Sequence, residues 1–406
     1  MPNKKKKHIP FSPEKYPCIG IKQTIFQGSG SISKIPEIIE SEGWTRILLV
    51  IDPGVRKVSG ETFEELLAES GVEYAVFDKI EPNPLEEDIE KVGLTMYQEF
   101  GAQAMVAVGG GSAMDSAKGI SMMGNSGKNV VEAEAYLREN GATVMPPWEV
   151  YPIIAVPTTC GSGSEATRNA VITEPNGHKL VPHHDCLFPK YAVCDPDLLA
   201  TLPPRVAAAT AMDSLVQAIE SYVSLGSFDF SEICALRAIE LMGPSVVAYV
   251  HNPAITEYAD KISKGCLYAG FSWNLASLAQ IHATNHPITE LLHIPHGEAC
   301  AILLPSFVEW NGVVCREKFW KVHNLMYPDA QVTLAEFSIP DFVRKLVQLN
   351  RDLGILGGKT LADYGCDEAM IDKFLEHYRN LAVYPRKTTK EEMKAIYMDI
   401  LAANKS

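Results

Sequence analysis

The stretch AMVAVGGGSAMDSAK, residues 104–118, decides the fold. Residues 104–108 are a continuous apolar run, which is typical of a strand buried on both faces of a parallel sheet. The glycines that follow allow the backbone to approach a ligand closely, and a helix beginning beyond them would favour a pyrophosphate at its N-terminus. The pattern is not Gly-x-Gly-x-x-Gly, so an ordinary strand-to-helix turn explains it equally well.

Apolar runs on either side of this stretch indicate neighbouring strands. They lie at residues 47–51, 72–77 and 152–156, with helical patterns at 60–70 and 85–100 between them. This alternation of strand and helix predicts a doubly wound α/β sheet. Its strands should be parallel, because such runs are usually covered by helices on both faces.

The alternation of strand and helix patterns ends near Asp195-Pro196-Asp197. From residue 202 onward long amphipathic stretches dominate, for example residues 207–223 and 232–250, and no strand pattern is clear. We therefore predict two domains, an α/β domain over residues 1–198 and an all-helical domain over residues 199–406.

Composition excludes several classes of function. The 406 residues are 46% hydrophobic and 21% charged, as in an ordinary globular protein, and the net charge of −14 argues against nucleic acid as a partner. No apolar stretch predicts a membrane span. The nine cysteines include no Cys-x-x-Cys pair, which is typical of a reducing compartment, so we expect a cytoplasmic protein.

Histidines are concentrated between residues 281 and 297. Four of the eleven lie here, and His282 and His286 are spaced so that a helix would place them on one face. His296 follows a proline and precedes a glycine, so a loop or a helix start should present it. Neutral imidazole is the commonest side-chain ligand of catalytic divalent metals. The alternative, histidines that merely line a core, is equally open on this pattern alone.

Two further segments could contact a nucleotide. Asp52 ends a predicted strand, where a carboxylate can accept hydrogen bonds from the ribose of NAD and repel the extra phosphate of NADP. It could equally initiate the Pro53-Gly54 turn. Residues 157–165, PTTCGSGSE, follow another strand, and their small polar side chains suit phosphate contacts or an ordinary polar loop.

In this order, the segments resemble the iron-containing (group III) alcohol dehydrogenases. The resemblance runs from residue 28 to about residue 311. It implies a Rossmann-like N-terminal domain and an all-α C-terminal domain, the fold shared with dehydroquinate synthase, with a metal in the cleft between them. It also implies interconversion of alcohols with aldehydes or ketones by NAD(P).

The resemblance assigns site residues by position. Asp213, Gln217, His282 and His296 occupy the metal-ligand positions, and His286 looks like the histidine beside the nicotinamide, a plausible proton relay. The cofactor contacts that it implies are Asp52, Asn83, Gly110, Gly111, Ser112, Asp115, Thr158, Thr159 and Lys179.

One departure bears on the chemistry. The family has Asp-x-x-x-His on one helical face, whereas this chain has Gln217 four residues after Asp213. An amide oxygen is a weaker ligand than imidazole, but three good ligands remain, so we predict Fe²⁺ or Zn²⁺ bound more loosely, with Gln217 as a ligand or as a hydrogen-bond partner. The alternatives are a metal-independent enzyme resembling maleylacetate reductase, and a non-redox lyase or nucleotide-binding scaffold.

The expected activity is NAD-dependent, metal-assisted interconversion of a small primary alcohol and its aldehyde, in a homodimer or higher homo-oligomer. Polar residues after the threonine-rich loop could bind an anionic tail, such as a sulfonate, phosphonate or carboxylate. The residues in question are Arg168, Asn169, Lys179, His183 and His184. The alternative is that Lys179 holds the cofactor and the others are solvated.

Overall fold

The structure, a computed structural model, describes residues 20–21, 23–376, 378 and 380–403. Its eight strands are β1 (Thr24–Gln27), β2 (Arg46–Ile51), β3 (Glu73–Phe77), β4 (Ala104–Gly109), β5 (Ile153–Pro157), β6 (Ile172–Thr173), β7 (Lys179–Leu180) and β8 (Tyr191–Cys194). Six of them form one parallel sheet in the order β1-β8-β5-β4-β2-β3, and β6 pairs with β7 in an antiparallel ribbon.

The register of the sheet brings three strand ends to one edge. Ile51 pairs with Val108, and Gly109 pairs with Pro157, so β2, β4 and β5 finish side by side. Every residue of β4 and β5 is buried, because helices cover both faces. The residues that follow these strands therefore meet at the carboxyl edge of the sheet, where open α/β sheets bind ligands.

Helices follow the strands and then form the rest of the chain. They are α1 (Lys34–Glu42), α2 (Pro53–Glu69), α3 (Glu86–Asp88), α4 (Thr95–Phe100), α5 (Gly111–Met123), α6 (Val130–Asn140), α7 (Pro204–Val223), α8 (Asp229–Met242), α9 (Val246–His251), α10 (Thr256–Ala276), α11 (Gln280–Thr284), α12 (His286–Leu292), α13 (His296–Met326), α14 (Ile339–Asp352), α15 (Glu368–Phe374) and α16 (Lys390–Ala403). A π-helical turn, Ile89–Leu94, joins α3 to α4, and a 3₁₀ turn, Ser164–Ala166, follows β5.

The C-terminal half is a helical bundle around α7. This helix is buried on all sides from Ala211 to Val223, because α8, α10 and α13 pack around it. None of the described residues after Cys194 is in a strand. The predicted fold class, a parallel α/β half followed by an all-helical half, is confirmed.

One described helix, α13, is long and apolar enough to cross a membrane by length and composition. However, 72% of its most apolar window is buried inside the protein. A core helix passes the same test, and the first turn of α13 carries residues of the site described below.

Candidate active site

The glycine-rich turn and the threonine-rich loop lie in contact at the carboxyl edge of the sheet. The Thr158 amide donates to the Gly109 carbonyl at 2.9 Å, and Gly110 lies against Thr159, whose Oγ1 would be 3.1 Å from any Cβ there. Gly109 has φ of 152°, where an added Cβ would also approach Ala113 to 2.7 Å. The turn therefore requires glycine, and it leads directly into α5.

The N-terminus of α5 is a suitable place for a pyrophosphate. No side chain caps it, since Gly110 is the N-cap residue, and Gly111 and Ser112 form its first turn. Unsatisfied amides and the helix dipole favour an anion at such an end. In the adjacent loop the buried Thr158 Oγ1 has no hydrogen-bond partner among the described residues, so a polar ligand group would satisfy it. This part of the site fits a dinucleotide.

Asp52 lies beside this turn and caps α2. Its Oδ1 accepts hydrogen bonds from the amides of Gly54 at 2.8 Å and Val55 at 3.0 Å. Both bonds use the same oxygen, and no described residue donates to Oδ2. Asp52 therefore does cap α2, and its Oδ2 stays available to a ribose hydroxyl.

Asp115 is a buried residue of α5 whose carboxylate is fully engaged by the protein. Ser164 Oγ donates to one oxygen at 2.8 Å, and the Val171 amide donates to the other at 3.0 Å. These bonds hold the threonine-rich loop against α5. A direct contact between Asp115 and the cofactor stays a prediction.

Asn83 and Lys179 meet at Thr173. Lys179 Nζ donates to Thr173 Oγ1 at 2.8 Å, and that hydroxyl lies 3.4 Å from the Asn83 carbonyl oxygen. Asn83 is exposed with φ of 61°. Burial lowers the pKa of Lys179, with Glu290 opposing. The two residues thus form a second polar patch that the cofactor could contact.

Four side chains from two long helices and a short one converge into a cluster of potential metal donors. They are Asp213 of α7, His282 of α11, and His296 and Cys300 of α13, with one donor atom from each lying within 4.8 Å of the others. Asp213 Oδ1 is 3.1 Å from His282 Nε2 and 3.6 Å from His296 Nε2. The predicted trio of Asp213, His282 and His296 is therefore brought together, with a cysteine added.

Glu220 orients His282. Its buried carboxylate accepts hydrogen bonds from the Ile281 amide at 2.6 Å and from the Nδ1 side of the His282 ring. That contact directs Nε2 of His282 toward Asp213. A carboxylate behind a histidine is the usual second layer of a metal site, since it fixes the tautomer and raises ligand basicity.

Gln217 lies one helical turn from Asp213 and adjoins the cluster. Its Nε2 donates to Asp213 Oδ1 at 3.3 Å, and its buried Oε1 has no partner among the described residues. An unpartnered buried oxygen beside a carboxylate and two imidazoles is a group that a cation would satisfy. The residues present therefore fit a divalent metal.

The cluster has the electrostatics of a ligand set. Burial opposes ionisation of Asp213, but His296 and His282 outweigh it and lower the pKa of the carboxyl below its usual value. Burial likewise disfavours the charged form of His282, but Cys300, Glu220 and Asp213 raise its pKa well above the ordinary value. Without a metal, the imidazoles supply the positive charge that balances the buried carboxylates.

His286 is an exposed residue beside this cluster. It begins α12, with its ring centroid 6.1 Å from that of His296. Desolvation of the ring and the positive charge of His296, His282 and Lys179 together lower its pKa to about 4. His286 is therefore neutral at pH 7 and is able to accept or relay a proton.

The residues considered for an anionic tail are largely engaged by the protein. Arg168 forms an ion pair with Asp185 at 2.6 Å. His184 accepts from the Cys186 amide at 3.0 Å, and burial and Arg168 lower the pKa of His183 to about 4. His183 contacts the side chain of Asn169. Of the five, Lys179 is the one whose positive charge acts on the His286 ring.

Sequence reasoning missed Glu220 and Cys300. Both have signals in the spacing: Glu220 is seven residues after Asp213 and Cys300 four after His296, so each shares a helical face with a predicted ligand. A glutamate in a long apolar helix is itself unusual, because buried carboxylates need partners.

Comparisons with known proteins agree with this architecture. The family model for iron-containing alcohol dehydrogenase matches residues 22–196, and the model for the C-terminal part of that family matches residues 207–401. The chain is 30% identical to alcohol dehydrogenase 4 of Saccharomyces cerevisiae (strain YJM789), covering 91% of this chain and 95% of the relative.

Two other proteins are similar over most of their length. The 1,3-propanediol dehydrogenase of Klebsiella pneumoniae is 30% identical, with 92% of this chain and 95% of the relative covered. The crystal structure of sulfoacetaldehyde reductase from Bifidobacterium kashiwanohense in complex with NAD⁺ is 26% identical, covers 95% of this chain and 98% of that chain, and superposes with a TM-score of 0.83. Because the models together span both halves and the relatives are matched almost end to end, the chain belongs to the iron-containing alcohol dehydrogenase family.

Proposed function

We propose that this protein interconverts a small primary alcohol and its aldehyde with NAD(H), assisted by a divalent metal. The observation that carries the proposal is the donor cluster of Asp213, His282 and His296 beside His286. The relatives named alcohol and propanediol dehydrogenase, and the neighbour solved with NAD⁺, support the reaction class and the cofactor.

The residues of the chain divide the work between the two halves. Asp213, His282 and His296 would hold the metal, with Gln217 as an adjoining amide, and the cofactor would lie along the carboxyl edge of the sheet. A bound divalent metal supplies Lewis acidity toward a carbonyl oxygen.

His286 provides the proton path in this proposal. Being neutral at pH 7, it can accept the proton of an alcohol and return it in the reverse direction, directly or through water. Asp52 would hold the ribose, and the α5 N-terminus the pyrophosphate, which together place donor and acceptor across the cleft.

Metal removal tests the proposal. Purified protein should oxidise NADH with small aldehydes, lose turnover on chelation, and regain it with Fe²⁺ or Zn²⁺. Full activity in metal-free protein would favour the metal-independent alternative, a reductase resembling maleylacetate reductase. Failure to oxidise NADH with any aldehyde would leave the non-redox alternative.

The substrate is a finer question within the same proposal. Because Arg168 is paired with Asp185, Lys179, whose charge acts on His286, is the candidate of this set for an anionic tail. The sulfoacetaldehyde reductase neighbour favours testing this class. NADH-linked reduction of acetaldehyde, sulfoacetaldehyde and succinic semialdehyde should be compared, and equal kcat/KM for charged and uncharged aldehydes would contradict an anionic preference.

A further inference from the structure

Cys300 has a position that packing alone does not require. It is buried on the second turn of α13, with Sγ 3.9 Å from Asp213 Oδ1 and 3.8 Å from His282 Nε2. Tetrahedral bonds of about 2.0–2.3 Å place neighbouring ligand atoms about 3.3–3.8 Å apart. The sulfur therefore stands where a ligand of the same ion would stand.

Asn285 prepares this sulfur for that role. Its Nδ2 donates to Cys300 Sγ at 2.8 Å and also lies 3.4 Å from Nδ1 of His296. An amide N–H directed at sulfur stabilises a thiolate rather than a thiol. The thiolate, and not the thiol, is the metal ligand.

Gln217 explains why an additional ligand is needed. The helix position one turn after Asp213 holds an amide, which contacts the Asp213 carboxylate through nitrogen instead of offering an imidazole. On α13, Cys300 lies one turn after His296 and adjoins the same cluster. Loss of one donor on α7 is thus matched by a donor on α13.

We infer that the Cys300 thiolate is the fourth protein ligand of the metal, making an Asp-His-His-Cys set that prefers Zn²⁺ to harder cations. Thiolate is a soft ligand, which favours Zn²⁺ over harder cations. Because Zn²⁺ can expand to five ligands, four protein ligands still leave a position for the substrate. This inference rests on the proposed function, because it concerns the same metal site.

X-ray absorption of the zinc-loaded wild-type protein tests the inference without any variant. One sulfur should appear at about 2.3 Å from the metal. Co²⁺-loaded protein should likewise show a thiolate-to-metal charge-transfer band in the near ultraviolet. A first shell of nitrogen and oxygen alone would overturn the inference.

Variants then identify the sulfur. Cys300→Ser should abolish the band and weaken Zn²⁺ binding by more than about tenfold, whereas Cys315→Ser, another buried cysteine of α13, should change neither. Adding Gln217→His to Cys300→Ser should restore Zn²⁺ affinity without the band. A band that persists in Cys300→Ser would overturn the inference.

The outcome is separable from that of the proposed function. Metal-dependent aldehyde reduction with no sulfur in the first shell would reject Cys300 as a ligand and leave the function standing. Failure of the protein to bind Zn²⁺ or Co²⁺ at all would reject both.

Discussion

Asp52 caps α2 and is also the proposed ribose contact. Oδ1 accepts from the amides of Gly54 and Val55, and none of the described residues donates a hydrogen bond to Oδ2. The sequence left the cap and the ribose contact as alternatives. The cap does not exclude the ribose contact, because it occupies Oδ1 alone.

Asp52→Asn separates these tasks. Asparagine caps helices about as well as aspartate, but it carries no charge to repel a 2′-phosphate. We expect kcat/KM to favour NADH over NADPH at least about tenfold in the wild type, and the ratio to fall about tenfold in Asp52→Asn with unchanged unfolding free energy. Asp52→Ala should also lose about 1 kcal/mol of stability. A wild-type preference for NADPH would mean that Asp52 is only a cap.

Glu220→Gln tests the positioning of His282. The amide keeps one acceptor for the Ile281 amide but removes the negative charge behind the imidazole. We expect Zn²⁺ affinity to fall by about 10- to 100-fold in chelator competition. Glu298→Gln is the matched control, because Glu298 is equally buried on α13 but pairs with Arg205 away from the cluster. Equal losses of metal affinity in both variants would contradict a specific role for Glu220.

How far the sequence predicted the site depends on the kind of residue. Histidines and aspartates with the family spacing were found, and Asp213, His282 and His296 are indeed together. Cys300 was missed because a cysteine in an apolar helix is ordinarily a small core residue. All eight described cysteines are buried, so burial alone does not distinguish Cys300 from the others. Only the packing of α13 on α7 reveals that Cys300 faces Asp213 and His282.

At the level of elements, continuous apolar runs predicted strands correctly, whereas short or interrupted segments were missed or given the wrong bounds. The four predicted strands correspond to β2, β3, β4 and β5. The edge strand β1 and the four-residue β8 were missed, since neither has a long apolar run. The helix expected over residues 232–250 is two helices, α8 and α9, because Pro244 lacks an amide hydrogen and cannot continue α8.

The approach of α13 to α7 depends on Gly297. A Cβ at this position would lie 1.8 Å from the Ala209 carbonyl oxygen. This contact is backbone, which cannot rotate away, and it lies between the helices that carry His296 and Asp213. The metal cluster therefore requires a residue without a side chain at the start of α13.

Gly297→Ala should accordingly damage stability and metal binding together. We expect the unfolding free energy to fall by about 3 kcal/mol, since overpacking of this kind forces the backbone to move, and Zn²⁺ affinity to fall with it. Denaturant titration and chelator competition measure the two effects. Gly60→Ala in α2 is the control, because its Cβ would meet only the side chain of Arg56. Wild-type metal affinity in Gly297→Ala would show that the close approach is dispensable.

At the scale of the whole molecule, the candidate site lies where the two halves meet. The proposed cofactor residues lie along the sheet edge, and the proposed metal ligands lie on α7, α11 and α13. Between them lies the 3₁₀ turn Ser164–Ala166, which packs against α10. Glu165 in this turn is 2% exposed, with Cys266 of α10 3.9 Å from its Oε1. The junction thus buries a carboxyl group that has no strong partner among the described residues.

This carboxyl should make stability depend on pH. Burial raises the pKa of Glu165 from its ordinary value of 4.5 to about 7 in the folded protein, although its own backbone amide and Lys118 oppose the shift. The folded state therefore binds this proton more tightly than the unfolded state. The contribution of Glu165 to the unfolding free energy is greatest below about pH 4.5, and it falls by about 3 kcal/mol as the pH rises toward 7.

Glu165→Gln removes the titration while keeping the shape of the side chain. Other groups titrate as well. Burial raises the pKa of Asp115 and lowers the pKa of Lys118 to about 8. The informative quantity is therefore the difference in unfolding free energy between the variant and the wild type. We expect Glu165→Gln to gain stability over the wild type progressively from pH 5 to 7 and to keep a constant advantage from there to about pH 8. Denaturant unfolding of both proteins at each pH measures this difference, and a difference that stays flat from pH 5 to 7 would show that Glu165 is already ionised at the junction.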